Sequence, residues 1–148
     1  MSILERIEGE FKSALKSRDE RRVSILRMVK ASIKNREIEK SGPLSEDDIY
    51  DILNSFVKKG RESIEQFSRA GRSDLLQKEE EELRIIRSFL PEQLSEDEIR
   101  RLIKEAIDEV NAKGAGDVGK VMRALMPRVK GRADGRLVNN LVKEILEG

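Results

Sequence analysis

Apolar residues recur at every third or fourth position through almost the whole of this chain. Leu4, Ile7 and Phe11 show this spacing near the start, and Ile99 and Ile103 show it later. Such spacing places side chains on one face of an α-helix, whereas a half-buried strand needs strict alternation. No two alternating runs are joined by an Asn-Gly or Asp-Gly turn. The pattern therefore predicts an all-α protein.

Short polar sequences divide this pattern into separate helices. A serine followed three residues later by an acidic residue is typical of a helix start, because the two side chains bond to exposed backbone N–H groups. The predicted starts are Ser2 with Glu5, Asp19, Ser45 with Asp48, Ser73, and Ser95 with Glu98. Ser41-Gly42-Pro43 and Gly71 predict helix ends. Four helices with short connections in residues 1–91 predict an N-terminal domain of paired helix hairpins.

Gly60 interrupts the apolar stripe of the third predicted helix, after Ile49 and Leu53 and before Ile64. A glycine inside a helix costs about 1 kcal/mol relative to alanine. We therefore expect a neighbouring helix to pass close to Gly60.

Pro91 marks a boundary, because the residue before a proline is pushed out of the helical conformation. Beyond it, five of the ten glycines fall between Gly114 and Gly135. We expect a small C-terminal three-helix domain in residues 92–148. Its short middle helix is predicted to end at Pro127, and Asp134 is expected to cap the last helix. The predicted core consists of Ile99, Ile103, Val118, Met122, Leu125, Leu141 and Ile145.

The chain contains neither Cys nor His. It therefore has no disulfides, no thiolate or imidazole metal ligands, and no Ser-His-Asp triad. The consecutive acids Glu79–Glu82 point in different directions on a helix, so they predict a solvated face rather than a metal or acid/base cluster. We expect no catalytic residues, no metal site, no cofactor and no enzyme activity from the chain alone.

Charged residues make up 40% of the chain and hydrophobic residues 37%. No apolar run approaches the roughly 20 residues of a membrane span. The first residues carry charges where a signal peptide has an apolar region. These features predict a cytoplasmic protein that does not enter a membrane. The charge excess without Cys is also typical of a thermophile.

Basic residues are concentrated in two segments, although the formal net charge is only +1. Lys113–Arg136 has seven basic residues against two acidic ones, and Lys12–Arg36 has nine against two. Lys and Arg beside glycines suit phosphate groups. Phosphate binding and a solvated surface both remain open for Lys113–Arg136, whereas a solvated helix face is favoured for Lys12–Arg36. The candidate RNA-binding residues are Lys120, Arg123, Arg128, Lys130, Arg132 and Arg136.

These six candidates are not expected to face one way. Lys120 and Arg123 share a face of the predicted middle helix, and the others are placed in or after the loop that follows it. All four Phe residues fall on apolar stripes of the N-terminal part. Because reading single-stranded bases usually needs exposed aromatic rings, we expect the C-terminal domain to recognise RNA shape and phosphates.

Seven strings stand out along the chain. They are Lys59–Phe67, Ala70–Arg72, Asp74–Leu75, Phe89–Leu94, Gly119–Met122, Leu125–Pro127 and Lys130–Gly135. In this order, and over essentially the full chain, they resemble the GatB/YqeY family and its stand-alone YqeY-like branch. The resemblance implies an all-helical protein. It also implies a C-terminal domain similar to the tail of the aspartyl/glutamyl-tRNA amidotransferase B subunit, which helps to hold tRNA.

This resemblance implies a tRNA-binding or tRNA-related module that recognises RNA without catalysis. Its expected partner is tRNA or another structured RNA, with translation-related proteins as further candidates. Two alternatives are an accessory component of glutamine-dependent tRNA amidation and a helical module for protein–protein interaction. A role in tRNA amidation fits the carbon-nitrogen ligase label that the family carries. However, the sequence offers no set of nucleophile, base and oxyanion-binding residues that would support amidotransferase activity in this chain.

Overall fold

The computed structural model describes all of residues 1–148 and contains seven α-helices and no β-strand. This confirms the predicted all-α fold. The chain divides into two compact units, Met1–Pro91 and Glu92–Gly148, which we call the N-terminal unit and the C-terminal unit. The helices of the N-terminal unit are α1 (Ile3–Ser17), α2 (Glu20–Lys40), α3 (Glu46–Arg69) and α4 (Ser73–Arg87). Those of the C-terminal unit are α5 (Glu96–Val110), α6 (Val118–Val129) and α7 (Gly135–Glu147).

The N-terminal unit consists of two helix hairpins around one core. Helix α1 packs against α2, and α3 packs against α4, while α2 also contacts α3 and α4. The apolar stripes meet at Ile7, Leu26, Leu53 and Ile86, each no more than 1% exposed. No polar or charged residue is buried, so this core is held together by apolar contacts alone.

Four of the five predicted helix starts, at Ser2, Asp19, Ser45 and Ser95, are confirmed by side-chain hydrogen bonds to the first turn. Helix α4 begins at the predicted Ser73 but has no side-chain cap. The Ser45 hydroxyl accepts from the Asp48 N–H at 3.2 Å, and the Asp48 carboxylate accepts from the Ser45 N–H at 3.0 Å. Ser95 and Glu98 form the same reciprocal pair at the start of α5. Each pair satisfies N–H groups that have no partner inside the helix.

The end of α2 differs in detail from the expected glycine stop. Ser41, not Gly42, adopts the left-handed conformation, with a φ of 59°. The N–H groups of Ser41 and Gly42 donate to the carbonyls of Ile38 and Glu37, both at 3.2 Å. These bonds close the last turn and offset the strain of a left-handed serine.

Helix α6 differs from the sequence prediction in its end and in its buried face. It continues through Pro127 to Val129, although the sequence predicts an end at Pro127. Its buried residues are Val121, Leu125 and Val129, whereas Met122 is only half-buried. Proline removes one backbone hydrogen bond from the last turn, and Val129, only 1% exposed, gains full burial by staying helical.

The core of the C-terminal unit is completed by α5 and α7. Ile99 and Ile103 are buried on α5 as predicted. On α7 the buried residues are Val138, Leu141 and Val142, while the predicted Ile145 is half-buried. A short 3-10 turn, which the sequence did not indicate, precedes α6 at Ala115–Asp117.

Gly60 lies against α4, as its place on the apolar stripe predicts. A Cβ built on Gly60 would lie 3.5 Å from Leu83 Cδ1 and 3.9 Å from Leu83 Cβ. These are ordinary contact distances, so one methyl group fits and a longer side chain meets Leu83. Gly9, on α1, has no neighbouring atom within 4 Å of such a Cβ.

We expect Gly60→Ala to raise the free energy of unfolding by about 0.5–1 kcal/mol, because alanine favours the helix and its methyl group fits. Gly60→Leu should lower it by about 1–3 kcal/mol through overpacking against Leu83. Urea denaturation measures both changes. Gly9→Leu is the control and should not destabilise the protein. Equal stability of the two leucine variants would contradict the close approach at Gly60.

Asp48 links the start of α3 to the end of α2. Its carboxylate accepts from Lys40 Nζ at 2.6 Å, as well as from the Ser45 N–H. The Lys40 ammonium, followed by the Ser45 N–H and hydroxyl, lowers the pKa of Asp48 to about 2. The charged form of Asp48 is therefore favoured by folding.

This pKa predicts an acid-sensitive contribution to stability. Because the folded-state pKa of Asp48 lies below the unfolded value of about 3.9, its contribution is complete above about pH 4. It is lost as the pH falls toward about 2. The difference in Tm between the parent protein and Asp48→Asn should therefore shrink across this window. Carboxyl-carbon NMR titration of Lys40→Met should show the Asp48 pKa raised, and an unchanged pKa would contradict the role of Lys40.

Candidate RNA-binding surface

Positive charge is concentrated in one part of the C-terminal unit. Glu92–Gly148 contains eleven basic and eleven acidic residues, so the unit as a whole is neutral. Lys113–Arg136, which includes α6 and the turn after it, carries a net charge of +5. The six candidate residues lie in this segment, and the structure gives them different surroundings.

The outer face of α6 carries Lys120 and Arg123. These residues are three positions apart and both are exposed, while Val121 and Leu125 point into the core. The Lys120 side chain has no hydrogen bond or ion pair within the chain. Arg123 Nε donates only to the Gly119 carbonyl of its own helix, at 3.3 Å. Both cationic groups are therefore available to a ligand.

The first turn of α6 has no side-chain cap. Asp117, at the N-cap position, instead accepts a hydrogen bond from the Lys113 N–H at 2.8 Å. The N–H groups at a helix start carry partial positive charge. This end of α6 therefore adds to the positive potential around Lys120.

Arg128 faces α5 rather than solvent alone. It lies in the last turn of α6, not in or after a loop as the sequence predicts. Its guanidinium pairs with Glu109 and lies 3.7 Å from the Glu105 carboxylate. The Glu109 carboxylate raises the pKa of Arg128 above its ordinary value. The charge of Arg128 is thus already paired with two acids of the same unit.

The turn between α6 and α7 is tied to the residues that precede α5. Gln93 Nε2 donates to the Gly131 carbonyl at 2.9 Å, and the Leu94 N–H donates to the Arg132 carbonyl at 2.8 Å. Arg132 Nε donates to the Glu92 carbonyl at 3.1 Å. We call these three hydrogen bonds the turn clamp. Arg132 is half-buried and holds the turn in place as part of this clamp.

Lys130 and Gly131 begin this turn. Lys130 is exposed, and its backbone N–H donates to the Met126 carbonyl at 3.0 Å, which closes α6. Gly131 is buried and has a φ of 72°. This left-handed conformation favours glycine, because a side chain would be strained there.

Arg136 lies in the first turn of α7. Asp134 caps this helix as predicted, by accepting a hydrogen bond from the Arg136 N–H at 2.9 Å. The Arg136 side chain is exposed and has no partner in the chain. Helix starts favour acidic side chains over basic ones, so this position does not benefit the helix. A free cation at Arg136 is better suited to an external anion.

Sequence reasoning assigned no role to Glu92, Gln93 and Leu94. Their contacts reach about forty positions along the chain, which no local spacing reveals. Phe89–Leu94 and Lys130–Gly135 are two of the strings on which the family resemblance rests, and the turn clamp joins them.

The basic segment of the N-terminal unit is paired more extensively. Arg21 forms an ion pair with Glu81 at 2.6 Å, and Arg22 forms one with Glu10 at 2.9 Å. Lys30 lies 4.2 Å from the centre of the Phe11 ring and also pairs with an acid on α1. Several of these charges therefore belong to contacts within the unit.

Acidic residues do not assemble into a second candidate site. No group of three or more acidic side chains is arranged to hold a metal ion. In Glu79–Glu82, Glu81 pairs with Arg21, while burial raises the pKa of Glu82. No helix combines the length and the apolar character needed to cross a bilayer.

We expect Arg132→Met to lower the stability of the C-terminal unit by about 0.5–1.5 kcal/mol, the usual contribution of a hydrogen bond. Arg136→Met should change it by less than about 0.5 kcal/mol, because the Arg136 side chain has no partner. Native-state hydrogen exchange at the Val121 and Leu125 amides reports on this unit. If both variants lost the same amount of stability, the hydrogen bond from Arg132 to the Glu92 carbonyl would not be what stabilises the turn.

Three curated fungal proteins that are similar to this chain share the name "Altered inheritance of mitochondria protein 41, mitochondrial". The Pyrenophora tritici-repentis protein is 29% identical over 97% of this chain and 81% of its own length. The Saccharomyces cerevisiae (strain YJM789) protein is 28% identical over 83% of this chain and 68% of its own length. The Eremothecium gossypii protein is 34% identical, but the match spans only 59% of this chain and 48% of the relative.

The names of these relatives contradict the predicted cytoplasmic location, because each is called a mitochondrial protein. That prediction was wrong for a physical reason. High charge and the lack of an apolar span suit any aqueous compartment, so they do not distinguish the cytoplasm from the interior of an organelle.

The family comparison covers nearly the whole of both units. The protein-family model described as "Yqey-like protein" matches residues 4–146 of this sequence, from the first turn of α1 to the last turn of α7. This match confirms the resemblance drawn from the sequence strings. The chain belongs to the YqeY-like protein family.

Proposed function

We propose that this chain binds structured RNA, with tRNA as the expected class, through the outer face of α6 and the start of α7. The observation that carries the proposal is that three exposed cations, Lys120, Arg123 and Arg136, form no ion pair within the C-terminal unit. Lys120 and Arg136 have no partner, and Arg123 bonds only to its own helix. Lys130 is exposed directly after α6.

The remaining candidate residues have a different role in this proposal. Arg128 balances Glu105 and Glu109, and Arg132 holds the turn through the Glu92 carbonyl. They shape the surface instead of binding phosphates. The binding set is thereby reduced to Lys120, Arg123, Lys130 and Arg136.

The chemistry of this surface favours phosphates over bases. All five aromatic residues lie in the N-terminal unit, so the C-terminal unit offers no ring on which a base could stack. Lys and Arg groups that contact phosphates fix the position of a folded RNA without reading its sequence. The resemblance of this unit to the tail of a tRNA-dependent amidotransferase subunit supports tRNA as the class.

The experiment measures binding to a folded tRNA transcript by fluorescence anisotropy across a KCl series. Four phosphate contacts give a log–log salt slope of about −3 to −4. Lys120→Gln/Arg123→Gln should weaken binding and make the slope shallower by about 2, since two contacts are removed.

The matched control is Lys12→Gln/Lys16→Gln, which removes two exposed charges from α1. It should leave the salt slope nearly unchanged. Loss of binding in this control, with binding retained in the α6 variant, would place the surface on the N-terminal unit. If the parent protein does not bind tRNA, the proposal is wrong.

A further inference from the structure

Helix α2 carries apolar residues on two faces. Its inner face buries Ile25, Leu26, Val29 and Ile33 in the core of the N-terminal unit. Its outer face exposes a second row, in which Met28 is 55% and Ile38 is 69% exposed. The outer row consists of Ser24, Met28, Ala31, Asn35 and Ile38, and all five residues are exposed.

The spacing of the outer row is that of a helix-packing seam. Its members are separated alternately by four and three residues, as are the a and d positions of a coiled coil. Ser24 and Ala31 are small on either side of Met28, so a second helix could approach closely there. Asn35 falls at an a position, where asparagine commonly sets the register of paired helices. No helix of the N-terminal unit covers this row, although Met28 and Ala31 also line a neighbouring groove formed with α3 and α4.

A groove runs beside the outer row. Its volume is about 670 Å³, and it lies between the end of α1 and the outer face of α2. Leu15, which is 47% exposed, and Val23 supply apolar surface to it, next to Met28 and Ala31. The methionine can adjust its shape to an incoming side chain.

The charges around this groove are mainly positive. Arg18 and Arg27 line it, against the single acid Glu20. Arg18 forms no ion pair, and Arg27 contacts only the Phe11 ring, at 5.8 Å. Lys34 lies about two turns beyond Arg27 on α2 and is exposed without a partner. The natural complement is an acidic segment.

The charge and shape of this surface distinguish three possible ligands: a second copy of α2, RNA, and an acidic helix of another protein. An antiparallel second copy of α2 would oppose Arg27 and Lys34 to the same basic residues, which costs binding energy. RNA matches the charge but gains nothing from Met28, Ala31 and Ile38, which offer no aromatic ring. An amphipathic helix with acidic flanks satisfies both the apolar row and the cations.

We propose that the outer row of α2 and the groove beside it dock an amphipathic acidic helix of a partner protein. This is helix-in-groove recognition, in which apolar anchors give affinity and flanking charges select the partner. The proposal is independent of RNA binding, because it uses other residues in the other unit.

The test uses two synthetic helical probe peptides of 21 residues, both with Leu at the a and d positions. One has Glu at the flanking e and g positions, and the other has Lys there. Isothermal titration into the full-length protein should show one-to-one binding of the Glu peptide, at least about tenfold tighter than the Lys peptide. Equal affinities, or no binding of the Glu peptide, would overturn the proposal.

Variants locate the binding surface. Ala31→Glu should weaken the Glu peptide about tenfold or more, while Ser55→Glu, on the exposed side of α3, should not. Arg27→Gln/Lys34→Gln removes two positive charges and leaves the apolar row unchanged. This variant should therefore show a smaller difference in affinity between the Glu peptide and the Lys peptide. Circular dichroism establishes that each variant remains folded.

Two further measurements distinguish a partner helix from a second copy of this chain and from RNA. A dimer of the parent protein in sedimentation equilibrium that Ala31→Glu dissociates would assign the surface to a second copy and overturn the proposal. Loss of tRNA binding in Ala31→Glu would assign it to RNA and overturn the proposal as well. A monomer that binds the Glu peptide in the presence of saturating tRNA would support it.

Discussion

Every helix of this chain depends on burying a narrow apolar stripe against its neighbours. Hydrophobic residues form only 37% of the sequence. Five of the seven helices have 12–15 residues, and isolated helices of about that length are marginal in water. Ion pairs add little, because those of the structure lie at the surface, where such pairs contribute about 0–1 kcal/mol. The fold therefore rests on the meeting of stripes, with Leu26 and Leu53 at the centre of one core and Ile103 and Leu125 in the other.

Much of this arrangement could be predicted because it is local. A helix start needs only a few adjacent residues, so Ser45 with Asp48 and Ser95 with Glu98 identify their helices correctly. The buried face of α6 could not be fixed in the same way. Both Val121 and Met122 are apolar, and Pro127 resembles a helix stop, so only packing against α5 and α7 decides the face.

The candidate site shows the same limit more clearly. Sequence spacing finds a basic segment, but it does not show which charges are already paired. Arg128 meets Glu109 across two helices, nineteen positions apart, and Arg132 reaches Glu92 across forty. Lys120 and Arg136 have no such partner. The distinction between a cation that is paired within its unit and one that is left exposed exists only in three dimensions.

The turn clamp also defines where the C-terminal unit can be separated from other sequence. Its first helix begins at Glu96, with Ser95 as the cap, yet the clamp uses groups on Glu92, Gln93 and Leu94. A gene fusion cut at the cap would keep all three helices and lose the bonds that hold the turn between α6 and α7. A fragment that keeps the turn clamp therefore starts at Glu92, the first residue of the unit, and includes a segment that belongs to no helix.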